Sequence, residues 1–491
     1  MLAISLLFMD FSCYTTPKSF NHRSFHNQNG EKMLLNAKRV VRIVIFGITF
    51  QCAALLAFDA PVFYRAPLLQ PLATSQTDDW TSSLAVRALY GDTRETFERH
   101  EEDKTALFNG HGPFALTRLG VGLEGLSPTN KPVTNMFWGT GGTFADPDAL
   151  ATANANAGLI EVGGRFITTE FDVIFKQNLF WGFYLHVFVP FKELKLDPIT
   201  VRNTGPAVVN GVDIADFIEN TLPTILQENG IKPFGTTFKK SDIGDVIISG
   251  GWHKYKEGLE GLISSLGGLM QVGLVIPTAG ERDQDRVFAL PLGYNKHIGF
   301  VARGVGEAGF WDIIKVGAQA GVTIFLPENK NLRMTTDKSK KQNGWIVLEK
   351  GFAAVDPGHI WDIGAYVKAE VKGLEALIGY SFVRQERTGL HVKDDRFLKT
   401  VVQTALTQDA TPEGRGNRFI SKDDVANANR LLHGWEMHTV HFAAGYDMAK
   451  HLKKSWGPFL RVEYAYPILG KRSWATDVIA GMLGFSVTWN F

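Results

Sequence analysis

The chain lacks the features that would identify several large functional classes. Among its 491 residues only Cys13 and Cys52 are cysteines. Neither sign of charge dominates, since 51 Lys and Arg face 50 Asp and Glu for a formal charge of +1. A nucleic-acid binder normally carries a basic excess or stripe, so this balance argues against one. Mean hydropathy is −0.04, which excludes a polytopic helical membrane protein built from several apolar runs of about 20 residues. Disorder is excluded as well, because hydrophobic residues make up 45% and charged ones 21%. Catalytic motifs are also missing. There is no G-x-S-x-G, and His100-Glu101-Glu102-Asp103-Lys104 begins like a zinc-protease helix but has no second histidine. What is plentiful is Gly, 50 residues, and Phe, 35. Together they suggest β structure.

The first positive signal lies near the N-terminus. Lys38, Arg39 and Arg42 precede an apolar run from Ile43 to Leu56, interrupted only by Gly47, Thr49 and Gln51. Its length suits a signal-peptide core of roughly 7–15 residues and falls short of the ~20 that span a bilayer. Residues 33–57 are therefore expected to be a signal peptide cleaved near Ala57, with a buried amphipathic helix as the alternative. Gln51 before Cys52 argues against a lipoprotein site. Residues 1–32 are polar and without periodicity, an expected non-structured extension ahead of a start at Met33. Cleavage would remove both cysteines and with them any thiolate chemistry. Residues 58–82 are expected to form an N-terminal periplasmic segment.

The C-terminal residues carry the clearest period. Ile479, Gly481, Leu483, Phe485, Val487, Trp489 and Phe491 fall on one face, and Val478, Ala480, Met482, Gly484, Ser486, Thr488 and Asn490 on the other. That is the alternation of a strand. This segment resembles the C-terminal strand of bacterial outer-membrane β-barrel proteins of the porin-like kind, which end in Phe. The resemblance implies that Phe485, Val487, Trp489 and Phe491 act as a signal read by the barrel assembly machinery.

Similar alternation marks about twelve segments, near 83–91, 164–176, 179–194, 245–256, 265–278, 297–307, 312–326, 360–372, 374–388, 435–448, 456–468 and 477–491. The gaps alternate in length. Long ones at 92–163, 195–244, 279–296, 327–359 and 389–434 alternate with short turns at Gln177-Asn178, 257–264, Ala308–Trp311, Gly373 and 449–455. Long external loops and short periplasmic turns are the habit of transmembrane barrels. The expected fold is thus all-β: a transmembrane antiparallel up-and-down β-barrel over 83–491 in the bacterial outer membrane. Twelve strands are expected, or fourteen if 114–125 contributes.

Two G-x-G-x-x-G stretches, Gly120/Gly122/Gly125 and Gly304/Gly306/Gly309, lack the strand–turn–helix context of a dinucleotide site. They are taken as glycines that ease curvature and turns. The charged run Glu281–Arg286 is expected to be a solvated loop. Helical spacing places amphipathic helices at 212–229 and 394–406, inside external loops.

Inward positions carry Arg87, Glu170, Asp172, Lys192, His253, His297, Arg303, Lys315, Lys368, Glu370, Arg387, Arg461 and Glu463, the expected lumen lining. Charges of both signs either set up a transverse field across a hydrated pore or pair with one another in a filled one. No catalytic group, metal or cofactor is expected. The expected function is a porin-like channel for passive or weakly selective diffusion of small solutes. Outer-membrane lipid and lipopolysaccharide would surround it, and homo-oligomers remain open. The alternatives are a barrel hydrolase of lipase or protease type, which needs a Ser/His or Asp/His group clustered at one rim, and an adhesin or structural barrel with a plugged lumen. Residues 58–82 look short for the lumen hatch of hydrocarbon transporters.

Overall fold

The computed structural model describes residues 62–69, 80–98, 103–108, 114–115, 159–205, 207–209, 212–228, 230–232, 235–334, 349–393, 431–432 and 434–489. The leader, the first glycine motif, the histidine at 100, the helix expected at 394–406 and Phe491 lie outside them. Of the extra strand considered at 114–125, only Phe114–Ala115 is described, a two-residue extension paired to Ile160 and Leu159.

Twelve strands make the barrel: β1 (Trp80–Thr93), β2 (Leu159–Asn178), β3 (Phe183–Asn203), β4 (Val246–Glu257), β5 (Ile263–Ile276), β6 (Gly299–Phe310), β7 (Ile314–Phe325), β8 (Ile360–Val371), β9 (Leu374–Gln385), β10 (Glu436–Asp447), β11 (Trp456–Lys471) and β12 (Asp477–Trp489). Each pairs antiparallel with its chain neighbours. Closure comes from β1 against β12, in register from Trp80–Trp489 to Asp92–Asp477. Closure leaves no strand edge unpaired in the wall, the condition for a sheet surrounded by lipid.

The side-chain pattern explains the wall. Along β8, Ile360, Asp362, Gly364, Tyr366, Lys368 and Glu370 are buried, while Trp361, Ile363, Ala365, Val367, Ala369 and Val371 are exposed. The outward row is apolar and the inward row mixed, which is the inverse of a water-soluble barrel. Leu84, Val272, Ile378 and Leu483 extend this apolar belt around the circumference. Exposed aromatics flank it: Trp181, Trp311, Trp456 and Trp489 at the turn end, and Tyr90, Phe300, Trp361, Tyr464 and Tyr466 at the loop end.

Long and short connections alternate as expected apart from the short last loop between Lys471 and Asp477, with a shifted first turn. Gln177 and Asn178 still belong to β2, where Asn178 pairs with Tyr184, and the reversal uses Leu179–Gly182. Gly182 has φ +84, and a Cβ there would stand 2.2 Å from the carbonyl oxygen of His253. Only glycine fits that position.

At the loop end, a helical segment runs through Ile214–Asp216, a π-type stretch Phe217–Thr221 and Leu222–Glu228. Asp213 caps it by accepting from the backbone N–H groups of Ala215 and Asp216. This is the helix expected at 212–229. Its buried face, Ile214, Phe217, Ile218, Leu222 and Leu226, joins Phe108, Phe166, Phe288 and Trp474 in one apolar cluster. The ring centroids of Phe108 and Phe288 are 4.4 Å apart, and those of Phe166 and Trp474 4.6 Å. Beside it, Glu328–Met334, Glu349–Asp356, Thr388–Val392 and Leu431–Leu432 form a separate four-stranded sheet.

Candidate functional site

The described part of the expected periplasmic segment, residues 62–69, runs inside the barrel. Eight residues suffice because each end and the middle has a partner on the wall or its loops. At the loop end Val62 and Tyr64 enter the apolar cluster, and the N–H of Trp474 donates to the carbonyl of Phe63 at 2.8 Å. In the middle Arg65 donates from Nε and Nη2 to both oxygens of Glu170, at 2.7 and 3.0 Å. Lower down, the N–H of Leu69 donates to Glu463 Oε1 at 2.8 Å. Leu69 packs with Val305, Tyr366, Leu377 and Ala443, inward residues of four strands. We call residues 62–69 the strap.

Most of the described inward charges meet partners of opposite sign, Lys176 being an exception that packs over the Tyr184 ring. Glu170 also lies 3.6 Å from Lys192 Nζ. Arg87 donates to Asp172 at 2.7 Å and Arg303 to Asp362 at 3.2 Å. Lys368 is 3.1 Å from Glu307, whose other donor is the Tyr366 hydroxyl at 2.8 Å. Glu370 takes Lys315 at 2.8 Å and also Lys450. Arg461 bridges Glu375 and Glu463 at 2.7 and 3.3 Å. Of the two options left by the sequence, the paired one describes this interior. Pairing is what burial demands, since a lone buried charge is costly.

Of the expected lining, Arg87, Glu170, Asp172, Lys192, His253, Arg303, Lys315, Lys368, Glu370, Arg461 and Glu463 all sit on barrel strands facing inward, Arg461 being the most accessible. Two positions differ. Arg387 lies beyond the end of β9 and is exposed, because the strand stops at Gln385. His297 lies before β6, buried in the loop-end packing with Nδ1 3.1 Å from the carbonyl oxygen of Leu326. Burial, the largest effect, pushes its pKa down. Glu307, Asp362, Glu375 and His441 were not picked out from the sequence. Period two was the available signal: it carries the inward face from Arg303 to Glu307 and from Thr439 to His441.

Below the strap, on the turn side, lies a cavity of about 350 Å³. Leu68 and Leu69 form its inner end, and Arg87, Lys176, Arg303, Lys368 and Arg461 are among the wall residues. Among the described residues no group of three or more His, Cys, Asp or Glu is placed to hold a metal ion. The outer loops are tied by charge. Asp285 accepts from Arg333 at 2.9 Å and Lys350 at 2.7 Å, and these donors, Lys350 foremost, hold its carboxyl below the usual range. The second glycine motif, Gly304 to Gly309, lies within β6, so no phosphate-cradling turn exists there.

No protein-family model and no curated protein sequence matches the chain. Among solved structures it is similar to an outer-membrane channel from Pseudomonas putida F1, at 9% identity and TM-score 0.41, covering 88% of this chain and all of that one. It is also similar to the translocator domain of the autotransporter NalP from Neisseria meningitidis, at 8% and 0.30, covering 84% and 90%. A third is a FadL homologue from Pseudomonas aeruginosa, at 10% and 0.26, covering 84% and 91%. The closed twelve-stranded wall, its apolar belt and its aromatic girdles make this chain a transmembrane antiparallel β-barrel, the fold of these outer-membrane proteins.

Proposed function

We propose that the barrel is a channel for small solutes whose resting lumen is closed, rather than a permanently open porin. The observation that supports this most directly is the strap, docked through Arg65 on Glu170 and Leu69 on Glu463 beneath an apolar outer cluster. The cavity below gives solutes a vestibule. Arg87, Lys176, Arg303, Lys368, Lys450 and Arg461 outnumber Glu370, Glu375, Asp447 and Glu463 on its wall, but most of these charges are paired, which favours passive, weakly selective diffusion over strong preference for one sign. Planar-bilayer recording tests this. The full chain should show brief, rare openings, and a variant lacking residues 62–69 should conduct steadily. Silence from both, with the barrel folded, would sink the channel reading.

A further inference from the structure

Ser381, His441 and Glu463 face the lumen from the consecutive strands β9, β10 and β11. Ser381 Oγ lies 2.8 Å from His441 Nε2, and His441 Nδ1 lies 3.3 Å from Glu463 Oε1. All three are buried. Glu463 can only accept at neutral pH, so Nδ1 carries the proton that faces it. Nε2 then presents its lone pair to the serine hydroxyl. This is the order of nucleophile, base and orienting acid that activates a serine. Rigid strands hold it, and the carboxylate is itself fixed by Arg461.

A second observation points to a ligand. Thr439 stands directly opposite Ser381 in the β9–β10 register, wholly buried. Its hydroxyl has no hydrogen-bond partner among the described residues. A buried hydroxyl left unpaired is costly, and a partner met during function is one of the explanations such an orphan admits. Beside the nucleophile, that hydroxyl is a ready donor to a developing oxyanion.

We propose that Ser381, His441 and Glu463 form a catalytic triad that hydrolyses short-chain carboxylic esters in the lumen, and that the strap seals it. Ser381 Oγ would bond to the ester carbonyl carbon while its proton passes to His441 Nε2. The carbonyl electron pair moves onto oxygen, where Thr439 donates. As the pair returns, the bond to the alcohol oxygen breaks and the alcohol leaves with the proton from Nε2. Water then attacks acyl-Ser381 by the same route, freeing the carboxylic acid and restoring the serine. Glu463 stays ionised and steadies the imidazolium.

The seal is visible in the packing. Leu69 binds the same Glu463 oxygen that His441 faces. Its side chain lies over Gly364 and Gly379, the cross-strand partners of Ser381 and His441. Leu69 and Glu463 line the cavity, whereas Ser381, Thr439 and His441 do not. At about 350 Å³ it is near the small end of ligand pockets, roughly 300–1,000 Å³, which fits a short acyl ester. Two glycines beneath Leu69 mean that its removal opens space next to the triad. This proposal stands whether or not the lumen conducts ions.

The test uses the refolded chain in detergent, a variant lacking residues 62–69, and Leu69→Ala as a gentler opening. A fluorophosphonate probe, with peptide mapping, reports the nucleophile, and p-nitrophenyl acetate reports turnover. Labelling should map to Ser381 and be at least tenfold faster in both opened variants than in the full chain. Ser381→Ala should abolish labelling, and His441→Gln should slow turnover at least a hundredfold while the folded barrel keeps its mobility on a gel. Labelling at another residue would overturn the proposal, as would opened, folded barrels that turn over ester no faster than Ser381→Ala.

Discussion

Arg65 and Glu170 are joined by two hydrogen bonds, and neither side chain is exposed to solvent. The bond is the strap's main polar tether, and it has a third member. Lys192 stands 3.6 Å from the same carboxylate, so the two partners are not equivalent. Arg65→Gln leaves Glu170 still facing a cation. Glu170→Gln leaves Arg65 and Lys192 facing each other across a neutral amide. Breaking one side of a buried pair costs about 3–5 kcal/mol, and the larger share of that range is expected for Glu170→Gln. Both variants should raise open probability in bilayer recordings, Glu170→Gln more, and urea titration should rank them in the same order. Equal effects would remove Lys192 from the account.

The strap is also held by shape. A Cβ on Gly379 would stand 2.3 Å from Leu69 Cδ1 and 3.1 Å from the carbonyl oxygen of Ala365. Gly379→Ala therefore pushes the leucine off its seat, and conductance should rise as it does when the strap is deleted, though less. Gly481 provides the control, since a Cβ there meets nothing within 4 Å. Gly481→Ala should leave conductance unchanged.

Outside the membrane, Asp285 ties together Arg333 and Lys350 on neighbouring outer strands. Its pKa is lowered by these donors. A carboxyl whose pKa falls on folding lends stability above its unfolded value, about 3.9. That contribution fades as pH drops toward the folded value. Hydrogen exchange over 328–334 and 349–356, corrected for the intrinsic rate, should show more opening at pH 3 than at pH 6. In Asp285→Asn that pH difference should shrink. An unchanged difference would mean that other carboxylates lock the loops.

How much of this was legible in the sequence depended on range. Period two fixes which way each side chain points, so β8, β11 and β12 and the order of turns and loops could be read from local pattern alone. The helix after Asp213 was equally local, with its cap and apolar spacing adjacent in sequence. The strap was not, because its tethers lie 105 residues away at Glu170 and 394 away at Glu463. No pattern within 62–69 announces such partners, and a segment of eight residues looks too short to fill a lumen. The grouping of Ser381 and His441 with Glu463 was hidden for the same reason: they meet only because three strands align in register. Arg387 failed for an opposite cause. Its parity was extended past the point where β9 ends, and beyond the last ladder bond alternation has no meaning.

The belt makes a prediction of its own. Leu483 is the middle residue of β12, exposed, and paired with Val86 and Leu460 on the flanking strands. Trp489, on the same face, ends the strand at the turn side and donates to Ser82 Oγ at 3.0 Å. If the belt is centred on the bilayer, charge should be far costlier at the first than at the second. An arginine at a barrel midplane costs about 2–4 kcal/mol, falling to about 0–1 near the interfaces. Reversible folding of Leu483→Arg and Trp489→Arg into lipid vesicles measures both, and the loss of the tryptophan's hydrogen bond adds only about 1 kcal/mol to the second. A smaller cost for Leu483→Arg than for Trp489→Arg would place the membrane elsewhere along the barrel axis. The vestibule would then no longer sit near the turn-side membrane interface.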